Sequence, residues 1–435
     1  MFLAPFLFTS LLSSLLIARP KWLLILAFYV SYNPIYSLFV LNQMGYELSW
    51  IRMSLTSIVL FFLSLSILIA NTLNSHLELN TKVLNKEINA IIYILLFSFL
   101  VGVLSLNKFS EIIVSFYPFI EAIAFFLLTF MVLNNKKDID QFIQNVLFWI
   151  VLNFSFALLF YFYFGQTYLA TTSFFGITIP RLNDIQVGLL LPFLFCLLFS
   201  QEIRRRYLIY LCFFLGVLIL LLGFFRTTWL SVFLSIFLIF LIKPRLSMGF
   251  GKKITSFFYP ASVLVLIGFV STIDIFGNES LFSTVSERLL SNDSSNYGSS
   301  VYGRLEAMEV LFVEGVQFPE LVFGHGLGSY FSNDALPTSS SSNYFLSLLH
   351  QLGLFQFTFL IFILIYLVKE LFLILRAART NFTKLLCSGL IGCLFSLFII
   401  LNLFPSVLHF PLITFVASLY AIVLRLFRLE KNVIN

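Results

Sequence analysis

Charged residues are scarce in this chain, and their scarcity excludes an ordinary soluble protein. Asp, Glu, Lys and Arg make up 11% of the 435 residues, whereas soluble domains contain about 25%. Hydrophobic residues make up 60%, and the mean hydropathy is +1.00. Apolar runs close to membrane-spanning length recur from end to end, which predicts an integral α-helical membrane protein.

Cysteine is also scarce, and close pairs of metal-binding residues are missing. The four cysteines all lie inside apolar runs and form no CxxC pair, so we expect neither a disulfide framework nor a cysteine-bound metal. The connection 42–50 contains Glu47 as its only acid, whereas a metal-dependent lipid-sugar transferase would need several oxygen ligands there. We therefore expect no metal and no cofactor.

Thirteen apolar runs are predicted to be spans of an all-α polytopic membrane protein with about 12–14 transmembrane helices. Segment 2–17 lacks the basic start and the cleavage site of a signal peptide, so we interpret it as a span. The predicted spans are 2–17, 22–41, 51–70, 88–104, 112–133, 142–164, 185–200, 207–223, 227–242, 257–273, 343–367, 385–403 and 407–426.

The basic residues orient these spans. If the N-terminus lies outside and the spans alternate, 20 of the 26 Lys and Arg residues fall on the inner side and six on the outer side, as the positive-inside rule requires. The C-terminus is then cytoplasmic. The net charge of +6 therefore reflects anchoring at the bilayer, and we expect no nucleic-acid partner. The outer six are Arg52, Lys108, Arg181, Arg226, Arg288 and Arg304.

Two outer segments are longer than turns. They are 165–184 and 274–342, and the second is rich in Ser, Asn and Gly. Within it, the spacing of Leu305, Met308 and Phe312 predicts a helix over 301–316. We see no soluble domain and no internal repeat, so residues 1–435 are interpreted as a single membrane domain.

Three of the outer arginines are candidates for binding a ligand. Arg226 lies in GFFRTTWL between two apolar runs, where a charge is costly unless it faces water, a partner or a ligand; snorkelling to headgroups is the alternative. Arg304, beside Glu306, either forms a surface ion pair or directs its guanidinium at a phosphate. Arg181 either forms an ion pair with Asp184 or binds the ligand together with Arg226 and Arg304. Together they would suit a doubly phosphorylated lipid headgroup.

Polar residues also recur at the start of the eleventh span. Asn343, Ser347 and Gln351 are spaced four apart, so a helix places them in one stripe about 10 Å long. The stripe either lines a cavity or bonds to a neighbouring helix. His350 beside it is either structural or a general base.

A glycine-rich stretch, FGHGLGSY at 323–330, precedes this span. Its backbone N–H groups either cradle an anion or belong to ordinary turns. We expect His325 within the stretch to be solvated.

The order and spacing of these spans and motifs resemble those of the O-antigen polymerase and ligase superfamily, which assembles bacterial envelope polysaccharides. The resemblance is to the Wzy-type polymerases in particular. The resemblance covers the span layout and about 180–360. It rests on Arg181 at a helix start, on FFRTTWL, and on YGRLEAMEVLFVEG, LVFGHGLGSY and SNYFLSLLHQLGLF. Gly315 is the eleventh residue after Arg304, which is similar to the R-x10-G element of the polymerases.

The resemblance implies a metal-independent glycosyltransferase of GT-C-like architecture in the bacterial inner membrane, with its active site facing the periplasm. Its substrate would be an undecaprenyl-pyrophosphate-linked oligosaccharide, and a polysaccharide chain-length regulator is an expected partner. Arg181, Arg226 and Arg304 would hold the pyrophosphate and stabilise its charge as it leaves the sugar. The assigned catalytic residues are Arg226, Arg304, Glu306 and His350; the assigned substrate-binding residues are Arg181, Arg226, Arg304, Asn343 and Gln351.

One departure distinguishes the two branches of the superfamily. The ligases typically carry His immediately before the Asn that starts the late helix, whereas here Ser342 precedes Asn343. This favours the polymerase, and the ligase, which transfers finished polymer to lipid A-core, is the alternative. The general base stays open among Glu306, Glu309 and His350. A lipid-linked oligosaccharide flippase is an alternative of another class, although flippases usually show two related halves.

Overall fold

The fold is built almost entirely from helices that lie in the predicted apolar runs. The computed structural model describes residues 3–31, 45–73, 85–168, 171–174, 177–180, 186–223, 226–242, 318–327, 329, 344–403 and 412–432. Within these ranges there are thirteen helices: α1 Leu3–Leu15, α2 Pro20–Ser31, α3 Gly45–Leu73, α4 Asn85–Leu104, α5 Phe109–Val132, α6 Lys136–Tyr168, α7 Gln186–Leu197, α8 Arg206–Gly223, α9 Arg226–Ile242, α10 Phe318–Phe323, α11 Tyr344–Ala377, α12 Asn381–Leu403 and α13 Leu412–Asn432.

Several of these helices are suited to cross a bilayer, which confirms a helical membrane protein. In the described part of the chain, four are long and apolar enough to do so: Phe109–Val132, Lys136–Leu159, Leu348–Ala377 and Asn381–Ile400. Seven further helices contain shorter apolar stretches of 10–17 residues. The predicted span 257–273 and the predicted helix 301–316 lie outside the described residues.

A small β-hairpin occupies part of the predicted outer segment 165–184, where the sequence predicted only a loop. Helix α6 continues to Tyr168, and strands β1 Thr171–Phe174 and β2 Ile177–Pro180 then pair antiparallel. Thr171 lies opposite Pro180, and Phe174 opposite Ile177. Thr and Ile are β-branched and favour strands, so the hairpin adds a short sheet to the predicted all-helical fold.

Helix α7 lies at the centre of the described helices. All twelve of its residues are buried, and it packs against α12, α9 and α8. Gly188 permits close approach, because a Cβ there would lie 2.8 Å from the Thr228 side chain. From α12, Ser396 Oγ donates to the Gly188 carbonyl over 2.7 Å, and Cys393 Sγ to Leu189 O over 3.1 Å. Small and weakly polar residues at helix contacts are typical of membrane bundles.

Candidate functional site

The predicted site residues that the structure describes lie beside a glycine-rich segment, which is held between two helices. We call residues 324–329 the glycine segment; residue 328 is not among those described. The segment follows α10 directly. It lies against the first half of α11 on one side and the C-terminal end of α4 on the other.

A break in α11 provides the acceptors for the segment. Gly353 has φ 70° and ψ 166°, which interrupts the helix. An interruption of this kind leaves the carbonyl groups of the preceding turn free of helical partners, so they can accept hydrogen bonds from outside the helix. The His350 carbonyl accepts from the His325 N–H over 3.0 Å, and the Gln351 carbonyl accepts from the Gly326 N–H over 3.0 Å. The segment therefore binds to the kink by its backbone.

Helix α4 holds the other side of the segment. The Leu327 N–H donates to the Ser98 carbonyl over 3.0 Å. Just beyond the helix, Asn107 Nδ2 lies 3.0 Å from the His325 carbonyl and 3.1 Å from the Leu327 carbonyl. One amide therefore bridges two carbonyl groups of the segment and fixes its path.

Buried glutamine side chains complete this network. Gln351, only 2% exposed, donates through Nε2 to the Ser329 carbonyl over 3.2 Å. Gln356 donates to the Phe323 carbonyl over 3.2 Å and accepts from the Ser98 hydroxyl. Buried amides are costly unless they are hydrogen-bonded. The polar stripe on α11 therefore faces protein at Gln351, and its partner is the glycine segment rather than a neighbouring helix.

Two imidazole rings stack at this junction. The centroids of His325 and His350 lie 4.1 Å apart with an interplanar angle of 19°. The expectation that His325 is solvated holds only in part, because the residue is partly buried and its ring stacks on that of His350. The segment brings two histidines together that are far apart in sequence.

The anion-cradle interpretation of the glycine segment is not supported by its backbone. The N–H groups of His325, Gly326, Leu327 and Ser329 all donate to protein carbonyls. An anion nest needs N–H groups that are directed at the ligand. The four donors are already used, so this part of the segment serves to attach α10 and the chain around it to α4 and α11.

The predicted site residues fall into two groups. Arg181, Arg304, Glu306 and Asn343 lie outside the described residues, and so does the side chain of Arg226, whose backbone begins α9. His350 and Gln351 are described and lie side by side at the kink of α11. The catalytic and substrate-binding assignments of all these residues stay predictions.

A buried carboxyl was missed by the sequence reasoning. Glu121 lies in the middle of α5, is 1% exposed, and accepts a hydrogen bond from the Ser31 hydroxyl of α2. An ionisable residue inside a membrane-length helix is rare and marks a functional-site candidate. The available signal was a lone acid within the apolar run 112–133.

Side chains that could bind a metal ion do not cluster in the described residues. Within those ranges, no cluster of three or more His, Cys, Asp or Glu side chains is placed to hold a metal ion. His325 and His350 lie face to face, which is a stacking geometry. Metal independence of the reaction stays a prediction.

Comparison with known proteins gives no relative from which a role could be transferred. No protein-family model matches the chain, and no curated protein matches it significantly.

Proposed function

We propose that this protein polymerises undecaprenyl-pyrophosphate-linked oligosaccharide repeat units into a surface polysaccharide at the periplasmic face of a bacterial inner membrane. It would transfer a growing glycan from one lipid carrier to the non-reducing end of the next repeat unit. The helical membrane fold, the predicted orientation and the sequence resemblance all support this proposal.

The contact between the glycine segment and α11 is the observation that carries the proposal furthest. Two of the stretches on which the resemblance rests, LVFGHGLGSY and SNYFLSLLHQLGLF, contact each other through two backbone hydrogen bonds and the histidine stack. Such contact is expected if both stretches belong to one wall of a site. Arg304 precedes this wall in sequence, and Asn343 lies one residue before α11.

The reaction needs only groups of the kind that this chain supplies. An acceptor hydroxyl attacks the anomeric carbon, a C–O bond forms, and the bond from that carbon to the pyrophosphate breaks. The lipid pyrophosphate leaves with the electron pair, and Arg181, Arg226 and Arg304 stabilise its charge. A base accepts the hydroxyl proton. Glu306, Glu309 and His350 are the candidates for that role.

Alanine substitution of each arginine tests the assignment. Arg181→Ala, Arg226→Ala and Arg304→Ala are expressed in a strain that lacks its own copy, and the polysaccharide is resolved on a gel. We expect each variant to reduce the ladder by about a hundredfold or more, the scale at which single charge-stabilising groups contribute to catalysis. Single repeats capped on the acceptor should persist.

Lys108→Ala is a matched control on the same predicted side. Lys108 is exposed and forms only a surface pair with Glu111, 3.6 Å away, so its loss should leave the ladder intact. Normal ladders from all three arginine variants would contradict the proposal. Absence of any capped product, together with accumulated lipid-linked polymer, would identify the ligase instead.

A further inference from the structure

A cavity of about 320 Å³ lies between the α1–α2 turn and the start of α6. It is far larger than the roughly 30 Å³ that one water occupies and falls at the lower end of the roughly 300–1,000 Å³ of small-molecule sites. Its walls are formed by Arg19, Lys21, Trp22, Asp138, Gln141 and Phe142. None of these residues belongs to the site described above.

The charges around the cavity leave one cation without compensation. Lys21 Nζ lies 2.6 Å from Asp138 Oδ1, and the Asp138 side chain is only 8% exposed. This pair is neutral as a unit. Arg19 is exposed, and its guanidinium forms no ion pair within the described ranges. Two positive groups and one negative group therefore line the cavity, and the net charge is positive.

The beginning of α6 adds to this positive potential. The helix starts at Lys136, and Asp138 and Gln141 in its first two turns line the cavity. The N-terminal end of a helix carries a partial positive charge from its peptide dipoles. Lys136 pairs with Glu202, so that lysine is neutralised elsewhere. Arg19 and the helix end are the features that favour an anion.

The apolar part of the cavity points to a lipid anion. Ile25, Leu133 and Phe142 form apolar walls next to the charged residues. Trp22 is 45% exposed at the same place, and tryptophan is typical of membrane–water interfaces, where its ring meets headgroups. A soluble anion would gain nothing from these apolar side chains.

We propose that this cavity binds the phosphate of an anionic phospholipid headgroup. Arg19 donates to the phosphate, Lys21 and Gln141 contribute further N–H donors, and Trp22 with the apolar walls contacts the glycerol backbone. The predicted orientation places the α1–α2 turn on the cytoplasmic side, where basic pockets between helices bind acidic lipids. This proposal does not depend on the glycosyl-transfer activity.

Native mass spectrometry of the purified full chain in detergent tests the proposal. Delipidated protein is titrated with phosphatidylglycerol, with zwitterionic phosphatidylcholine and with inorganic phosphate. Arg19→Gln should weaken phosphatidylglycerol binding about fivefold, the effect of one basic residue near an anionic lipid. Arg19→Lys should restore most of it, because the charge is retained.

Arg205→Gln is the control, since Arg205 is an exposed arginine in a predicted inner connection outside the cavity; its binding should equal that of wild type. Thermal unfolding of each variant verifies that the fold is kept. Equal phosphatidylglycerol affinity of wild type and Arg19→Gln would overturn the site. Phosphatidylcholine binding as tight as phosphatidylglycerol would overturn the role of charge. Equally tight binding of inorganic phosphate would overturn the lipid assignment.

Discussion

Gly324 and Gly353 lie backbone to backbone where the glycine segment meets the kink of α11. A Cβ added to Gly324 would lie 2.5 Å from Gly353 N, and one added to Gly353 would lie 2.3 Å from Gly324 N. Both residues also have positive φ, at 78° and 70°. The junction therefore excludes a side chain at either position, for reasons of both space and backbone conformation.

We expect the substitution Gly353→Ala to destabilise the folded protein. At φ 70° and ψ 166° the backbone of residue 353 lies in a region that essentially only glycine adopts, so alanine there costs about 1–3 kcal/mol of strain. Its Cβ also clashes with backbone atoms that cannot rotate away. The midpoint of thermal unfolding in detergent should fall, by less for each kcal/mol than the about 2–4 °C of proteins of roughly 150–250 residues, because this chain of 435 residues is longer. The histidine stack should be lost with the contact.

Gly389→Ala is the matched control within the described core. A Cβ there would meet the Phe193 ring at 3.2 Å and Cys196 Cβ at 3.3 Å, and its φ is not in the positive region. Phe193 needs to shift only slightly, so the loss of stability should be smaller. If both alanine variants unfold at the same temperature, the steric argument for the junction fails.

At the scale of elements, the C-terminal end of α13 is fastened to two other helices. The Glu430 carboxylate accepts from the hydroxyls of Thr380 and Thr383, each at 2.5 Å, and from the Arg379 N–H at 2.8 Å. From the same helix, Arg425 donates to the Leu133 carbonyl at the end of α5 over 3.0 Å. These bonds join α13 to the start of α12 and to the end of α5.

Acid should weaken the contact between α13 and α12. Burial raises the pKa of Glu430, but the hydrogen bonds from Thr380, Thr383 and backbone N–H groups outweigh it, and the net pKa lies below the ordinary 4.5. A lowered pKa stabilises the fold above the unfolded value, and this contribution disappears as pH falls through the folded pKa. Wild type should therefore unfold at a higher temperature than Glu430→Gln at neutral pH, with the difference shrinking below pH 4.5.

Glu111→Gln supplies the comparison for this measurement. Glu111 forms only an ion pair at 3.6 Å with the exposed Lys108, and such surface pairs contribute about 0–1 kcal/mol. Its substitution should change the unfolding temperature little at any pH. A stability difference for Glu430→Gln that stays constant across the pH series would show that the carboxylate charge does not hold α13.

For the whole molecule, the predicted orientation can be tested with added cysteines. The four native cysteines are buried, so they should not react with a membrane-impermeant maleimide. Ser105 is exposed after α4 in a predicted outer connection, and Gln201 is exposed before α8 in a predicted inner one. In intact spheroplasts, Ser105→Cys should be labelled and Gln201→Cys should not.

Permeabilised membranes serve as the control, because both added cysteines should react once the bilayer is open. Labelling of Gln201→Cys alone in intact spheroplasts would invert the positive-inside assignment. It would also place the glycosyl-transfer proposal on the wrong face. Labelling of neither position would show that the described exposure of these connections is lost in the membrane.

The sequence by itself determined the class of the protein and most of its helices. The run 227–242 became α9, Arg226–Ile242, and the run 207–223 became α8, Arg206–Gly223. This agreement has a local cause, because a long apolar run can satisfy its backbone in a membrane only as a helix. Charge, which is equally local, supplied the predicted orientation.

Only the tertiary structure decided which distant residues meet. No periodicity in the sequence predicts the kink at Gly353. Nor does it predict the stack of His325 on His350 or the hydrogen bond from Ser31 to Glu121. The sequence suggested that the backbone N–H groups of the glycine segment could bind an anion, whereas in the structure they donate to protein carbonyl groups. Such contacts depend on how helices pack, and packing depends on shape complementarity across the whole bundle.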